Sequence, residues 1–373
     1  MPRRRTIAAT SAIAAAVIAA VVVTVLVTRG GSSTVAVGTT YPTSYLIVYQ
    51  VTQNGASRWE VLSVQRPFGA SDLNYTTTSA PRAGDQASTG NMSTATGLYA
   101  VDAQAVRLVS GRQPGPPSGD QYAGEAIPEL TRRGLAADLG KTATIAGRTC
   151  NVYRFAAPPS GAVAPLTSTA DGADHDDLCF DSEGLELSES WTYHGAVVLQ
   201  RTAVEVRTSA NAIAGTSLPV PPSVDSAEPA GPHAATVTPT QQPSTFIAAP
   251  QPPSGFTPSG PAVDFRFPDA QDPSQAAATS VVWAFTDGPR VITVEAGSER
   301  GGGLPWRAGD TSTEPVTLHG LGPASTAVRS DGFEVRVDLG GGDWVRVRGT
   351  VSLDALIAYA HRLTRASAAP TAG

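Results

Sequence analysis

The chain has 373 residues, enough for two ordinary domains with attachments. Only 16% of them are charged and the net charge is −6, so there is no basic surface for nucleic acid and no nucleic-acid partner is expected. Two cysteines, with His175, His194, His233, His319 and His361 scattered along the chain, do not make a structural zinc site, and no metal or other cofactor is expected. Lys141 is the one lysine beside 25 arginines, a skew that, with abundant Ala, Gly and Pro, fits a G+C-rich bacterial genome.

Residues 1–5 carry Arg3, Arg4 and Arg5, and residues 6–28 follow without a charge. At 1.5 Å rise per residue that run spans about 30 Å of hydrocarbon. The arginines before it outweigh Arg29 after it, which places the N-terminus in the cytoplasm. A cleaved signal peptide would have an apolar region of about 7–15 residues closed by a small-residue site. The longer run with no such site reads as a single-pass signal anchor. Everything after Gly30 is then extracytoplasmic, beginning with a Gly/Ser/Thr tether over 29–40.

The first exported domain is expected over 41–210. Tyr45–Thr52 and Ser57–Arg66 flank Asn54-Gly55, the strongest short-range hairpin signal. Leu73–Thr78, Gly97–Val101 and Ala105–Ser110 read as further short strands, and Ala126–Leu139 as a helix with Ile127, Leu130, Leu135 and Leu139 on one side. The clearest period-2 pattern is Leu185–Tyr193, turned by His194-Gly195 into a second strand, Val197–Val206.

Twelve prolines lie between Pro219 and Pro261 among Ser, Thr, Ala and Gln. Such a composition buries too little apolar surface to fold, so 211–262 reads as a disordered linker. A second domain is expected over 263–366. It has a hairpin at Asp287-Gly288, strands Phe333–Leu339 and Trp344–Arg348 around a triple glycine, and a last helix, Leu353–Thr364, capped by Ser352. Residues 367–373 form a frayed tail. The fold class read from this order is α+β: an N-terminal membrane helix, a half-open antiparallel β-barrel-like domain with a helix, a Pro-rich linker and a small α/β C-terminal domain.

Cys150 and Cys179 lie on the exported side, where thiols oxidise, and are expected to form a disulfide closing a loop of roughly 30 residues. Asp171, Asp174, His175, Asp176 and Asp177 are oxygen-rich, but match no calcium-loop spacing; a solvated loop is the plainer reading. No nucleophile elbow, Ser-x-x-Lys or His-Glu-x-x-His is present. Glu183, Glu186 and Glu189 sit around one strand, where alternation puts Glu183 and Glu189 on a common face. Solvated strand carboxylates are commoner than a catalytic pair, and no enzyme is expected. Asn74 and Asn91 open glycosylation sequons that carry no meaning in a bacterial chain.

The candidate ligand-lining residues are the apolar members of alternating strands: Tyr45, Ile47, Tyr49, Trp59, Val61, Tyr99, Tyr153, Phe155, Leu185, Leu187, Trp191 and Tyr193. They suit an apolar cleft that takes lipid, and they equally suit a filled core.

Two segments carry a family resemblance. The strand pair containing IAGRTCNVYRF (Ile145–Phe155) is followed by CFDSEGLELSESWTYHGAVVLQRTAVEV (Cys179–Val206). Asp181, Gly184 and Leu185 supply an acidic residue followed by Gly-Leu, and Gly195–Arg201 the next strand. The second domain adds the hairpin Phe285–Gly288 and the ending Asp331–Leu356. In these features the chain resembles the LolA/MucB–RseB superfamily of envelope proteins. The resemblance implies a half-open antiparallel barrel whose apolar inner face binds acyl chains or a lipoprotein. In RseB-type members this is coupled to an anti-sigma factor, which makes such a membrane protein an expected partner. A sensor or regulator is therefore the leading expectation; a non-signalling lipid or lipoprotein carrier, or a scaffold, is the alternative. The membrane tether and the long proline linker depart from the family pattern, and the linker argues against rigid coupling of the two domains.

Overall fold

The computed structural model describes residues 42–65, 69–82, 85–93, 97–102, 106–111, 123–156, 174–208, 233–236, 247–268, 276–299, 313–329 and 332–366. The expected membrane helix, the tether and the tail lie outside them, and among the described residues no helix is long and apolar enough to cross a membrane.

Tight turns set the architecture. Asn54-Gly55, Ala146-Gly147 and His194-Gly195 each take two successive positive φ angles, 50° and 81°, 50° and 76°, and 48° and 76°. That is the turn whose twist matches paired strands, and glycine takes the second position without a Cβ penalty. These turns join β1 (Ser44–Gln53) to β2 (Ala56–Gln65), β7 (Ala136–Ile145) to β8 (Arg148–Ala156), and β10 (Glu186–Tyr193) to β11 (Ala196–Arg207). Between β2 and β7 run β3 (Gly69–Tyr75), β4 (Thr89–Ser93), β5 (Gly97–Asp102), β6 (Val106–Gly111) and helix α1 (Ala123–Arg132); β9 (His175–Asp181) precedes β10. Together they make an eleven-stranded antiparallel sheet in the order β6-β5-β4-β3-β2-β1-β11-β10-β9-β8-β7. β7 returns against β11, four places away, so this end of the sheet is strongly coiled.

The second sheet comprises β12 (His233–Thr236), β13 (Thr257–Pro258), β14 (Val263–Pro268), β15 (Ala276–Thr286), β16 (Val291–Glu299), β17 (Glu314–Leu318), β18 (Gly322–Arg329), β19 (Gly332–Gly340) and β20 (Asp343–Gly349). Its order is β12-β14-β15-β16-β20-β19-β18-β17, with β13 on β15. One face is apolar: Val281, Trp283, Phe285, Val294, Val335, Val337, Val345 and Val347 are buried with Leu356, Tyr359 and Ala360 of α2 (Leu353–Ala360). The opposite face carries ion pairs: Arg336 Nε meets Glu334 at 2.5 Å, and Arg346 pairs with Glu295. Ser352 caps α2 by accepting from the Ala355 N–H at 3.3 Å.

Four expectations are corrected. The chain is mostly β, with two helices among the described residues, and neither antiparallel sheet closes into a barrel or forms an α/β unit. The helix expected over Ala126–Leu139 starts at Ala123 and stops at Arg132, and Ala136 opens a strand. Gly134 (φ 71°) ends it: its N–H donates to the Thr131 carbonyl, and the Leu135 N–H donates back to Leu130. The acidic stretch from His175 is strand β9 rather than a solvated loop. Finally, part of the expected linker belongs to the second sheet. β12 pairs with β14, Ile247 is buried and bridges Arg365, and the Tyr359 hydroxyl donates to the Gln251 carbonyl at 3.0 Å. Proline fits there because these segments pair only briefly, at or beside the sheet's edge.

Strand β4 was not visible in the sequence. It lacks apolar alternation, and Gly90 is needed where a Cβ would collide with the backbone of Asp72 and Leu73.

Candidate functional site

Directly paired residues of adjacent strands point to the same side, so the register identifies the two faces of the first sheet. Tyr49 is opposite Ala203, and Val51 opposite Arg201. Arg201 is opposite Glu189, Leu199 opposite Trp191, Trp191 opposite Asp176, and Asp176 opposite Phe155. Tyr45, Ile47, Tyr49, Tyr153, Phe155 and Trp191 therefore share one face. Leu185 and Leu187 join the apolar cluster of Tyr45, Ile47 and Tyr49. Trp59, Val61 and Tyr99 are on the other face, packed with Leu46, Val48 and Leu73. Tyr193 is 42% exposed at the hairpin end beside His194.

Nine of the twelve candidates are buried, none more than 8% exposed. In this conformation they are core residues. Helix α1 supplies much of the cover at the β8–β9 end: Ala123, Ala126, Ile127 and Leu130 pack in one cluster with Tyr153, Phe155, Leu178 and Phe180.

The staple is in place. Cys150 and Cys179 form a disulfide with Cα atoms 5.4 Å apart, linking neighbouring strands β8 and β9. Beside it Asp181 accepts from Arg148 Nε at 2.6 Å and from the backbone N–H groups of Glu183 and Leu185 at 2.9 Å. The acidic residue and the Gly184-Leu185 pair of the family-like pattern thus form one turn, and Gly184 takes φ 77°. Arg154 pairs with Asp177 through two bonds of 2.7 Å, and Asp174 accepts from the Gly195 N–H at 2.9 Å. Asp171 lies outside the described residues. Alternation in β9 sends Asp176 to the opposite side from His175 and Asp177, so the acidic stretch is dispersed. No group of three His, Cys, Asp or Glu is arranged for a metal among the described residues.

The centre of the Tyr49 face is charged, which the sequence did not reveal. Arg201 lies over the Tyr49 ring at 3.6 Å from its centroid, donates to Glu186 Oε1 at 2.6 Å and pairs with Glu60. Burial works against its charge, but Tyr49, Glu186, Glu60 and Glu189 around it outweigh that and hold the guanidinium protonated well above its ordinary range. The Tyr49 hydroxyl donates to the Glu186 carbonyl at 2.8 Å. Trp191 Nε1 donates to Glu189 Oε1 at 2.6 Å. Asp176 is 0% exposed, and neither carboxyl oxygen has a hydrogen-bond partner counted as a donor. Its pKa is pushed up to about 10 by burial first, then by Glu189 and Glu186, a hydrogen bond to Glu189, and Asp177.

A bulge between Glu186 and Ser188 makes this arrangement. Three residues apart, Glu186 and Glu189 would face opposite ways on a regular strand; the extra residue, Leu187, puts both on the Arg201 side. The expected face-sharing of Glu183 and Glu189 is not seen, since Glu183 sits in the preceding turn and pairs with Arg148. The sequence sets Arg201, Glu186 and Glu189 on adjacent strands, but without the register nothing in it brings them together.

No family model and no curated protein matches the chain. Among solved structures, it is similar to MucB in complex with the periplasmic part of MucA: 14% identity, 87% of this chain and 94% of that chain covered, TM-score 0.26. A Pseudomonas aeruginosa MucA/MucB complex gives 15% identity, coverage of 87% and 94%, and TM-score 0.27. MucB alone gives 13%, 89% and 95%, and 0.27. Superpositions of this quality establish no common arrangement of the whole chain, and no residue role is carried across from them.

Proposed function

We propose that this protein is a membrane-anchored extracytoplasmic module that binds an apolar ligand, a lipid or lipoprotein acyl chain, on the Tyr49 face and engages a membrane partner such as an anti-sigma factor. The observation that carries the reading is the cover of that face. An aromatic and aliphatic surface on a coiled sheet end packs against one ten-residue helix, α1, in a cluster that continues into the second sheet and α2. Departure of this short amphipathic helix would open an apolar floor with Tyr153, Phe155, Leu178 and Phe180. The family-like strand pattern and the disulfide, which belongs to an oxidising compartment, support the same reading.

Native mass spectrometry of the full chain, extracted in mild detergent from its own membrane, tests it. The expected result is an acyl-lipid or lipoprotein adduct, with a single-pass membrane protein co-purifying. An adduct without that partner favours the carrier reading. Neither adduct nor partner leaves a scaffold, a role the filled core would suit.

A further inference from the structure

Asp176 is a polar group that the fold buries without serving it. It is 0% exposed, its two carboxyl oxygens receive no N–H or hydroxyl donor, and it lies opposite Trp191 on β10 and Phe155 on β8. An ionised carboxylate left in that position would carry a desolvation penalty that nothing offsets. The charged groups around it make ionisation worse. Glu186 and Glu189 face it from β10, and Asp177 adjoins it on β9. Among the described residues of this face, Arg201 of β11 is already committed to Glu186 and Glu60, and Arg58 of β2, opposite Val51, donates to Asn74 and Gln53; Asp72 of β3 is beside Glu60 at the exposed rim. On β8, Arg154 pairs with Asp177, on the opposite side of β9 from Asp176. On α1, Glu125 faces Arg290, and Glu129 is held by Arg132 and Arg133.

A carboxyl with only carboxylates for polar neighbours can be satisfied in one way, by keeping its proton and donating it. We propose that Asp176 and Glu189 share a single proton, forming a carboxyl clasp that holds β9 to β10 and fixes Trp191 over the Tyr49 face. The Asp176 O–H donates to the Glu189 carboxylate, which also accepts from Trp191 Nε1 at 2.6 Å. When the proton leaves to solvent, Asp176, Glu186 and Glu189 carry three negative charges in a space with one committed guanidinium. Trp191 then loses its fixed acceptor. The upward displacement of the Asp176 pKa to about 10 agrees with this geometry. The inference is independent of which ligand the Tyr49 face takes.

Infrared difference spectroscopy of the full chain against Asp176→Asn tests the clasp, with tryptophan emission followed on the same samples. At pH 7 the native protein should show the carbonyl band of a protonated carboxylic acid that the variant lacks. That band should vanish as pH rises through about 10, with a change in tryptophan emission that Asp176→Asn does not show. In Glu189→Gln the band should be lost at lower pH, since one negative neighbour is gone. Absence of the band at pH 7, or an identical emission change in Asp176→Asn, overturns the proposal. So does failure of Asp176→Asn to fold, because a neutral isostere should replace a neutral acid.

Discussion

Arg201 is the side chain on which the polar centre of the first sheet depends. It neutralises Glu60 and Glu186 at once, and all three side chains are nearly buried, at 13%, 10% and 11% exposure. Arg201→Met is therefore expected to cost about 3–5 kcal/mol, because it strands two buried carboxylates. Adding Glu60→Gln and Glu186→Gln should restore most of the loss; urea midpoints of the series check this. Asp176 gives the pH dependence. Its pKa rises from 3.8 to about 10 on folding, so above pH 4 the native state holds a proton that the unfolded chain has released. Stability contributed by this group is then full below the unfolded value and falls as pH rises towards 10. Asp176→Asn should flatten that fall, raising the melting temperature at pH 8–9 by about 2–4 °C for each kcal/mol relieved. None of this was legible in the sequence. Asp176 read as one of a run of solvated acids, and only the strand beneath it separates it from His175 and Asp177.

At the scale of elements, the local signals held where they rest on backbone chemistry. Asn54-Gly55 and His194-Gly195 make the hairpins that their φ preferences demand, and Ser352 caps α2. Ser352→Ala should cost about 1 kcal/mol, read as a lower melting temperature. Gly134→Val should cost about 1–2 kcal/mol, because the residue that ends α1 sits at φ 71°. The disulfide ties adjacent strands across a sequence separation of 29 residues. Cys150→Ser with Cys179→Ser should lose about 3–4 kcal/mol on the chain-entropy model, and the native chain, denatured without reductant, should show no thiol to a labelling reagent. The misread elements were those in which local propensity was overruled. The residues after Gly134 are helix-compatible but complete the sheet against β8, and β4 is a strand because its neighbours pair with it.

Across the whole molecule, α1 connects the two sheets. One hydrophobic cluster runs from α1 and β7–β9 into the second sheet and α2. Arg133, with its side chain 3% exposed, bridges Glu129 at 2.7 Å and Thr326 Oγ1 at 3.1 Å, and lies 3.6 Å from Glu314; Arg132 also pairs with Glu314. The coupling that a long proline linker argued against is thus supplied by a helix of the first sheet gripping β17 and β18. Arg133→Met is expected to cost about 3 kcal/mol of local stability. It should raise hydrogen exchange in α1 and β17 together while leaving β1 and β2 protected. Exchange that rises in α1 alone would show that the helix does not couple the sheets.

Composition and near neighbours along the chain were enough for the tight turns, the alternating strands, the helix cap, the cysteine pair and the absence of a catalytic motif. Tertiary structure alone decided the two faces of the first sheet, since a single bulged residue at Leu187 reverses which side chains meet. It also placed Arg201 among carboxylates of β2, β3 and β10 and left Asp176 without a donor. Those contacts join residues as much as 141 positions apart, as Glu60 and Arg201 are, and their energy comes from burial and charge that no local pattern encodes.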